Sequence, residues 1–282
     1  MIYIGLTGWG DHDELYTMGT KPSEKLYTYG SHFPTVEVDS SFYAIQPKRN
    51  MEKWASDTPD CFRFVVKAYQ GLTGHQRGEI PFSSKEDMFA AFVESLQPLL
   101  ESNKLAMVLF QFPPWFDCTK EHVRYLRYCK QQMGELPVAL EFRHQSWFRP
   151  SVRERTLSFM REEGWIHSIC DEPQAGEGSV PTVLVPSNEE NVLVRFHGRN
   201  VEGWRRPQEG NWREVRYLYR YSKEELAEWA EHLKQLAAQV KDVYVLFNNN
   251  SGGDAAANAK QMLELLEIEY HGLTPKQLNL FE

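Results

Sequence analysis

Eight short runs rich in Val, Ile, Leu and Phe recur along the chain: Ile2–Gly8, Thr35–Tyr43, Arg63–Ala68, Leu105–Pro113, Pro137–Arg143, Trp165–Asp171, Val192–Gly198 and Val243–Asn249. Most are bounded by turn residues and read as strands. Helical patterns lie between many of them, and strands that alternate with helices imply a parallel sheet. Eight such strands in 282 residues predict an α/β fold, the closed (β/α)₈ TIM barrel. The expected division is a single barrel domain over residues 1–272 and a tail over 273–282.

The clearest helical pattern is Ser222–Val240, where Leu226, Trp229, Leu233, Leu236 and Val240 mark one buried face. Ser222 and Glu225 form a capping-box pattern at its start. Ser84–Glu101 has the same rhythm, with Pro98 expected to bend its last turn. Thr119–Met133, Ser151–Glu163 and Asp254–Glu267 are further helix candidates. Two connections depart from the ideal barrel. Glu172–Asn191 is rich in Gly, Pro and Ser, and Arg199–Tyr221 is rich in Trp and Tyr. Long loops of this kind are often functional.

The composition narrows the classes of function. No apolar run approaches the ~20 residues of a membrane helix, and Met1–Gly5 enters a strand at once, without the pattern of a signal peptide. Cys61, Cys118, Cys129 and Cys170 are far apart and form no Cys-x-x-Cys pair. Reduced thiols and a cytoplasmic location are expected. A net charge of −8 argues against broad nucleic-acid binding by the whole surface.

Active sites of such barrels form at the C-terminal ends of the strands. There the sequence delivers Trp9 after the first strand, Glu37, Asp39, Ser41 and Tyr43 from the second, and Lys67 from the third, with His75 beyond it. Gln111 follows from the fourth strand, Glu141 and Arg143 from the fifth, and Asp171 from the sixth. Arg195, His197 and Arg199 come from the seventh, and Asn248 and Asn249 from the eighth. Strand interiors are apolar and charges are seldom buried unless paired, so the convergence of charged and amide groups at nearly every strand end is the informative feature.

Lys67, Arg143, Arg195, His197 and Arg199 form an anion-binding set, since guanidinium forks match carboxylate and phosphate oxygens. Glu37, Asp39, Glu141 and Asp171 are the acid–base candidates. A buried salt-bridge network is the competing reading of the same residues. The cofactor is left open. No phosphate-loop or Gly-x-Gly-x-x-Gly motif appears, and the histidines lack ligand-like spacing for a divalent metal.

Trp9, Trp115, Trp147, Trp204 and Trp212 fall in loops after strands, and Tyr217, Tyr219 and Tyr221 add to the same rim. Aromatic faces beside cations suit sugars, bases or single strands, although packing of the loops onto the barrel is the favoured account of any one ring. Ser251-Gly252-Gly253-Asp254 leads into a helix N-terminus, which reads either as an anion site or as a cap made by Asp254.

Several segments resemble a known family. Gly5-Leu6-Thr7-Gly8-Trp9, Thr35 to Tyr43, Phe110-Gln111-Phe112-Pro113-Pro114, Glu141-Phe142-Arg143-His144 and Arg195-Phe196-His197-Gly198-Arg199 look like signatures of the YecE-like family, a domain of unknown function. Tyr244 to Asn249 and Ala257-Asn258-Ala259 continue the match over nearly the whole chain. The opening departs from the family's Gly-Thr-Ser-Gly-Trp by carrying Leu6-Thr7 in its middle. The resemblance implies a TIM barrel and brings no established reaction.

The last residues resemble a second pattern. Gln277-Leu278-Asn279-Leu280-Phe281 has the Gln-Leu-x-Leu-Phe form of peptides that dock on the bacterial DNA sliding clamp. That resemblance implies partner contacts by Gln277, Leu278, Leu280 and Phe281. A tail of this form is also familiar from the family.

Together these features give the expectation of a hydrolytic enzyme that cleaves a phosphoryl ester. Its substrate would be an anionic small molecule or nucleic acid. Two rivals stand beside it: a non-catalytic binding module, and a metal-dependent sugar isomerase or hydrolase.

Overall fold

The computed structural model describes residues 1–76, 78–205 and 215–275. Eight parallel strands close into a barrel in chain order. They are β1 (Ile2–Thr7), β2 (Thr35–Val38), β3 (Arg63–Lys67), β4 (Leu105–Gln111), β5 (Val138–Glu141), β6 (Ile166–Asp171), β7 (Asn191–Phe196) and β8 (Asp242–Phe247). Closure is made by β8 on β1, from Ile2 beside Val243 to Leu6 beside Phe247. Gly5 permits the close approach of β1 to β2, because a Cβ there would lie 2.0 Å from the Thr35 carbonyl oxygen.

Successive side chains on a strand face opposite ways, so the apolar residues divide into two layers. Val65, Met107, Leu109, Ala139, Leu193, Tyr244 and Leu246 form a small cluster of strand residues that fills the barrel. A larger cluster lies between the strands and the helices, and includes Val66, Phe110, Leu140, Val194, Trp229 and Leu233. The charged layer follows from the same alternation. Two residues beyond Val65, Leu109, Ala139 and Leu193 come Lys67, Gln111, Glu141 and Arg195. The inward face therefore turns from apolar to charged at the C-terminal mouth.

The helix Lys223–Ala237 carries the expected capping box between Ser222 and Glu225. Lys120–Met133 is capped by the Thr119 hydroxyl. Three expectations need correction. The strand expected over Thr35–Tyr43 stops at Val38, and Ser40–Tyr43 is a helical turn. There the Ser41 hydroxyl donates to the carbonyls of Val38 and Lys67, which takes the place of a further strand pair. The segment Ser84–Glu101 is two helices, Lys85–Ser95 and Gln97–Glu101. Pro98 starts the second helix rather than bending the first, since it has no N–H to continue the ladder. Finally, the helix Asp254–Leu266 is preceded by Gly253 in the left-handed region, and no side chain caps it.

The packed body runs through Thr274, whose amide donates to the Gly30 carbonyl. No helix among the described residues is long and apolar enough to cross a membrane.

Candidate functional site

At the mouth, the charged side chains from different strands meet in one buried array. Arg195 lies at its centre and is fully enclosed. Its Nε and Nη2 donate to the two oxygens of Glu37 at 2.9 and 2.7 Å. Its Nη1 donates to Glu141 at 2.8 Å and to Gln111 Oε1 at 3.3 Å. Arg143 continues the array, with Nε to Glu141 at 2.6 Å and Nη1 to Glu172 at 2.8 Å. Arg143 Nη2 donates to His197 Nε2 at 2.9 Å. The other ring nitrogen of His197 lies 3.0 Å from the Asn248 amide.

Environment sets the charge of each group. Burial raises Glu37, and the Arg195 charge only partly offsets it, leaving its pKa at about 7. Glu172 is pushed to about 7 by burial, against the pull of Arg143. Glu141 stays well below the usual range: burial opposes ionisation, but the charges of Arg143 and Arg195 outweigh it. His197 is driven well below its ordinary value by burial and by the same two arginines, so it is neutral.

At the open edge of the array stands a second pair. Lys67 Nζ lies 3.2 Å from Asp39 Oδ1, with side chains 14% and 39% exposed. Burial works against ionisation of Asp39, yet the Lys67 and Arg195 charges hold it below the usual carboxylate value, helped by a hydrogen bond with Glu37. Glu37 and Asp39 are thus neighbouring carboxylates whose proton affinities are pushed apart, an arrangement that suits acid–base work. Lys67 is held charged: its two carboxylate neighbours outweigh its burial.

The remaining candidates lie around this centre. His75, in the loop after β3, is lowered to about 4 by burial and by Lys67 and Arg143. Trp9 is half-buried against Trp54. Tyr43 does not share a face with Glu37 and Asp39, because β2 has ended before it; it is 59% exposed.

Asp171 and Arg199 form a separate ion pair at 3.0 Å that runs on to Glu225. Asp171 has the parity of Ile169, which packs in the outer cluster, so its carboxylate points towards the helices. Asn249 also faces away, donating to the Tyr219 carbonyl and to Asn258. Trp147 and Tyr221 pack the loops and are buried rather than lining a rim. Trp204 lies over Arg143, with 5.6 Å from Cζ to the ring centre. Trp212 and the tail residues Gln277, Leu278, Leu280 and Phe281 lie outside the described residues.

Sequence reasoning passed over Glu172, Cys170 and Ser168. The signal that finds them is parity: Ser168 and Cys170 alternate on the inward face of β6 and Glu172 follows in the same phase just past its end, and Ser168 donates to Glu141. Donor atoms of Glu141, Cys170 and His197 lie within 4.8 Å of one another. Their chemistry does not suit a metal ion. Arg143 and Arg195 already bond to Glu141, and Arg143 to His197, so a cation there would face two guanidinium charges.

A family model described as "Protein of unknown function DUF72" matches residues 3–279. The chain belongs to the DUF72 family. Among its relatives is the UPF0759 protein YunF of Bacillus subtilis (strain 168), 70% identical over the full length of both chains. The UPF0759 protein YecE of Escherichia coli (strain K12) is 27% identical over 56% of this chain and 54% of its own. The barrel is similar to crystal structures of two DUF72 proteins. One, EF0366 of Enterococcus faecalis V583, has a TM-score of 0.93 at 42% identity, covering 99% of this chain and 100% of the other. The second, TM1631 of Thermotoga maritima MSB8, has a TM-score of 0.81 at 33% identity, covering 95% and 100%. The solved structures of the family thus share the fold seen here.

Proposed function

We propose that the barrel mouth is an active site for acid–base cleavage of an anionic substrate, a phosphoryl ester first among them. The observation that supports this most is the Glu37–Asp39–Lys67 group. It joins a carboxylate with a pKa near neutrality, one that stays ionised, and a cation at the partly open edge of a buried array. Asp39 accepts a proton from the attacking water or hydroxyl. Glu37, held through both oxygens by Arg195, fixes the position and charge of Asp39, and the proton that Asp39 takes up passes on to the leaving group. Lys67 meets the charge of the substrate, as a compact ammonium does. Arg143 and Arg195 hold Glu37 and Glu141 in place. The C-terminal Gln277–Phe281 motif would tether this activity to the DNA sliding clamp, on the strength of its sequence alone.

Titration calorimetry with inorganic phosphate, together with a panel of phosphate and carboxylate esters, tests the reading. Lys67→Met should weaken phosphate binding ten-fold or more, since charge-assisted hydrogen bonds contribute about 1.5–3 kcal/mol. Asp39→Asn should retain binding and lose turnover. A parent protein that neither binds phosphate nor cleaves any ester would refute it.

A further inference from the structure

We infer that the Gln111 amide nitrogen and the Tyr217 hydroxyl are neutral donors that join Lys67 in holding the oxygens of a tetrahedral phosphoryl group. This rests on the reading of the mouth as an anion site. Gln111 ends β4 with the inward parity of Leu109. Its Oε1 accepts from Arg195 Nη1 at 3.3 Å and lies 3.5 Å from Arg143 Nη2. A guanidinium has no acceptor, so the carboxamide oxygen must face the two arginines and the NH₂ must turn away from them. That nitrogen makes no hydrogen bond among the described residues, and it is not sealed in the interior. Gln111 is thus fixed by its oxygen and offers two N–H donors from the strand that lies between those of Lys67 and Arg143.

Tyr217 comes over the same mouth from the loop after β7. Two parts of that loop are clasped together. Asn200 Nδ2 donates to the carbonyls of Val215 and Leu218, both at 3.1 Å, and Gly203 leaves room for the Val215 carbonyl oxygen, which a Cβ would meet at 2.3 Å. The clasp sets the Tyr217 ring edge-on to Trp204 at 5.9 Å and 6.0 Å from the His197 ring. Its phenol lies within electrostatic reach of both Arg143 and Lys67. The ring packs, but the hydroxyl makes no hydrogen bond among the described residues and is not sealed in. Lys67 shares its ammonium with Asp39, so alone it leaves most oxygens of a phosphoryl group unserved. Two neutral donors add hydrogen bonds without a further charge, and they strengthen as charge builds on those oxygens. A planar carboxylate has too few oxygens to use all three groups.

The test uses the full chain with inorganic phosphate and acetate as probes, calorimetry for affinity and melting temperature for the fold. Tyr217→Phe removes one oxygen and should weaken phosphate roughly three- to ten-fold. Gln111→Glu keeps an oxygen for the arginines and puts a carboxylate oxygen where the donor was. It should weaken phosphate about ten-fold or more. Gln111→Met, which adds no charge, replaces it if that variant fails to fold, with a loss of roughly three- to ten-fold. The ligand-free melting temperature of Tyr217→Phe should be unchanged, while the rise that phosphate produces should shrink. Acetate should bind more weakly than phosphate and be insensitive to Tyr217→Phe. Phosphate bound by the parent and lost in Lys67→Met, yet indifferent to the Gln111 and Tyr217 variants, would overturn the two donors and leave the anion reading intact. A loss confined to one variant overturns the other residue's part. Acetate bound as tightly as phosphate would overturn the choice of a tetrahedral group. No phosphate bound by the parent overturns both readings.

Discussion

Each of the three nitrogens of Arg195 donates to a glutamate at the centre of the barrel, and Arg143 is bound almost as fully. These arginines answer buried carboxylates before any substrate arrives. Truncating either would strand buried charge, a change that costs about 3–5 kcal/mol, so their effect on ligand affinity is inseparable from their effect on the fold. Glu172 offers a cleaner probe. It faces the Arg143 guanidinium, the Val180 amide, Glu141 and Arg216. Burial raises its pKa from 4.5 to about 7. The folded state thus favours its protonated form. That contribution to stability is fully present below the unfolded value and is lost as pH rises through about 7. Melting temperatures followed from pH 5 to 8 should fall more steeply in the parent than in Glu172→Gln. Parallel curves would show that Glu172 does not titrate in this range.

The strands were the most legible elements. All eight lie where the apolar runs lie, because a strand enclosed on both faces must be apolar nearly throughout. Their ends were less legible. Nothing in Thr35–Tyr43 marks the point at which the Ser41 hydroxyl takes over the carbonyls of Val38 and Lys67, since that bond depends on a neighbouring strand. The direction of Asp171 was hidden for a related reason: its parity is fixed only once Ile169 is known to pack under the helices. Glu37, Lys67, Glu141, Arg143 and Arg195 could be gathered from their places at strand ends. Whether their charges are spent on one another or kept for a ligand depends on distances of 2.6–3.2 Å, which no spacing in the sequence encodes. The loop Glu172–Asn191, rich in Gly, Pro and Ser, holds no helix between β6 and β7. Its tether through the Glu172 carboxylate to the Val180 amide was not readable.

On the scale of the molecule, the roles proposed for the barrel and for the tail can be tested separately. The net charge of −8 opposes broad contact with nucleic acid, so recruitment to DNA would fall to the Gln277–Phe281 motif. A peptide of that sequence should bind purified sliding clamp with roughly micromolar affinity, about −8 kcal/mol. Polarisation measurements should show that affinity lost on joint Leu280→Ala and Phe281→Ala substitution, with the melting temperature of the full chain unchanged. A large drop in melting temperature would instead assign these side chains to the fold. The central claim, that the Lys67–Asp39 edge of the mouth is where a substrate is held, has a direct test in a crystal of the protein soaked with phosphate. The account predicts an anion within hydrogen-bonding distance of Lys67 Nζ, lost in Lys67→Met crystals. Phosphate bound only elsewhere, with Lys67 still closed on Asp39, would contradict it.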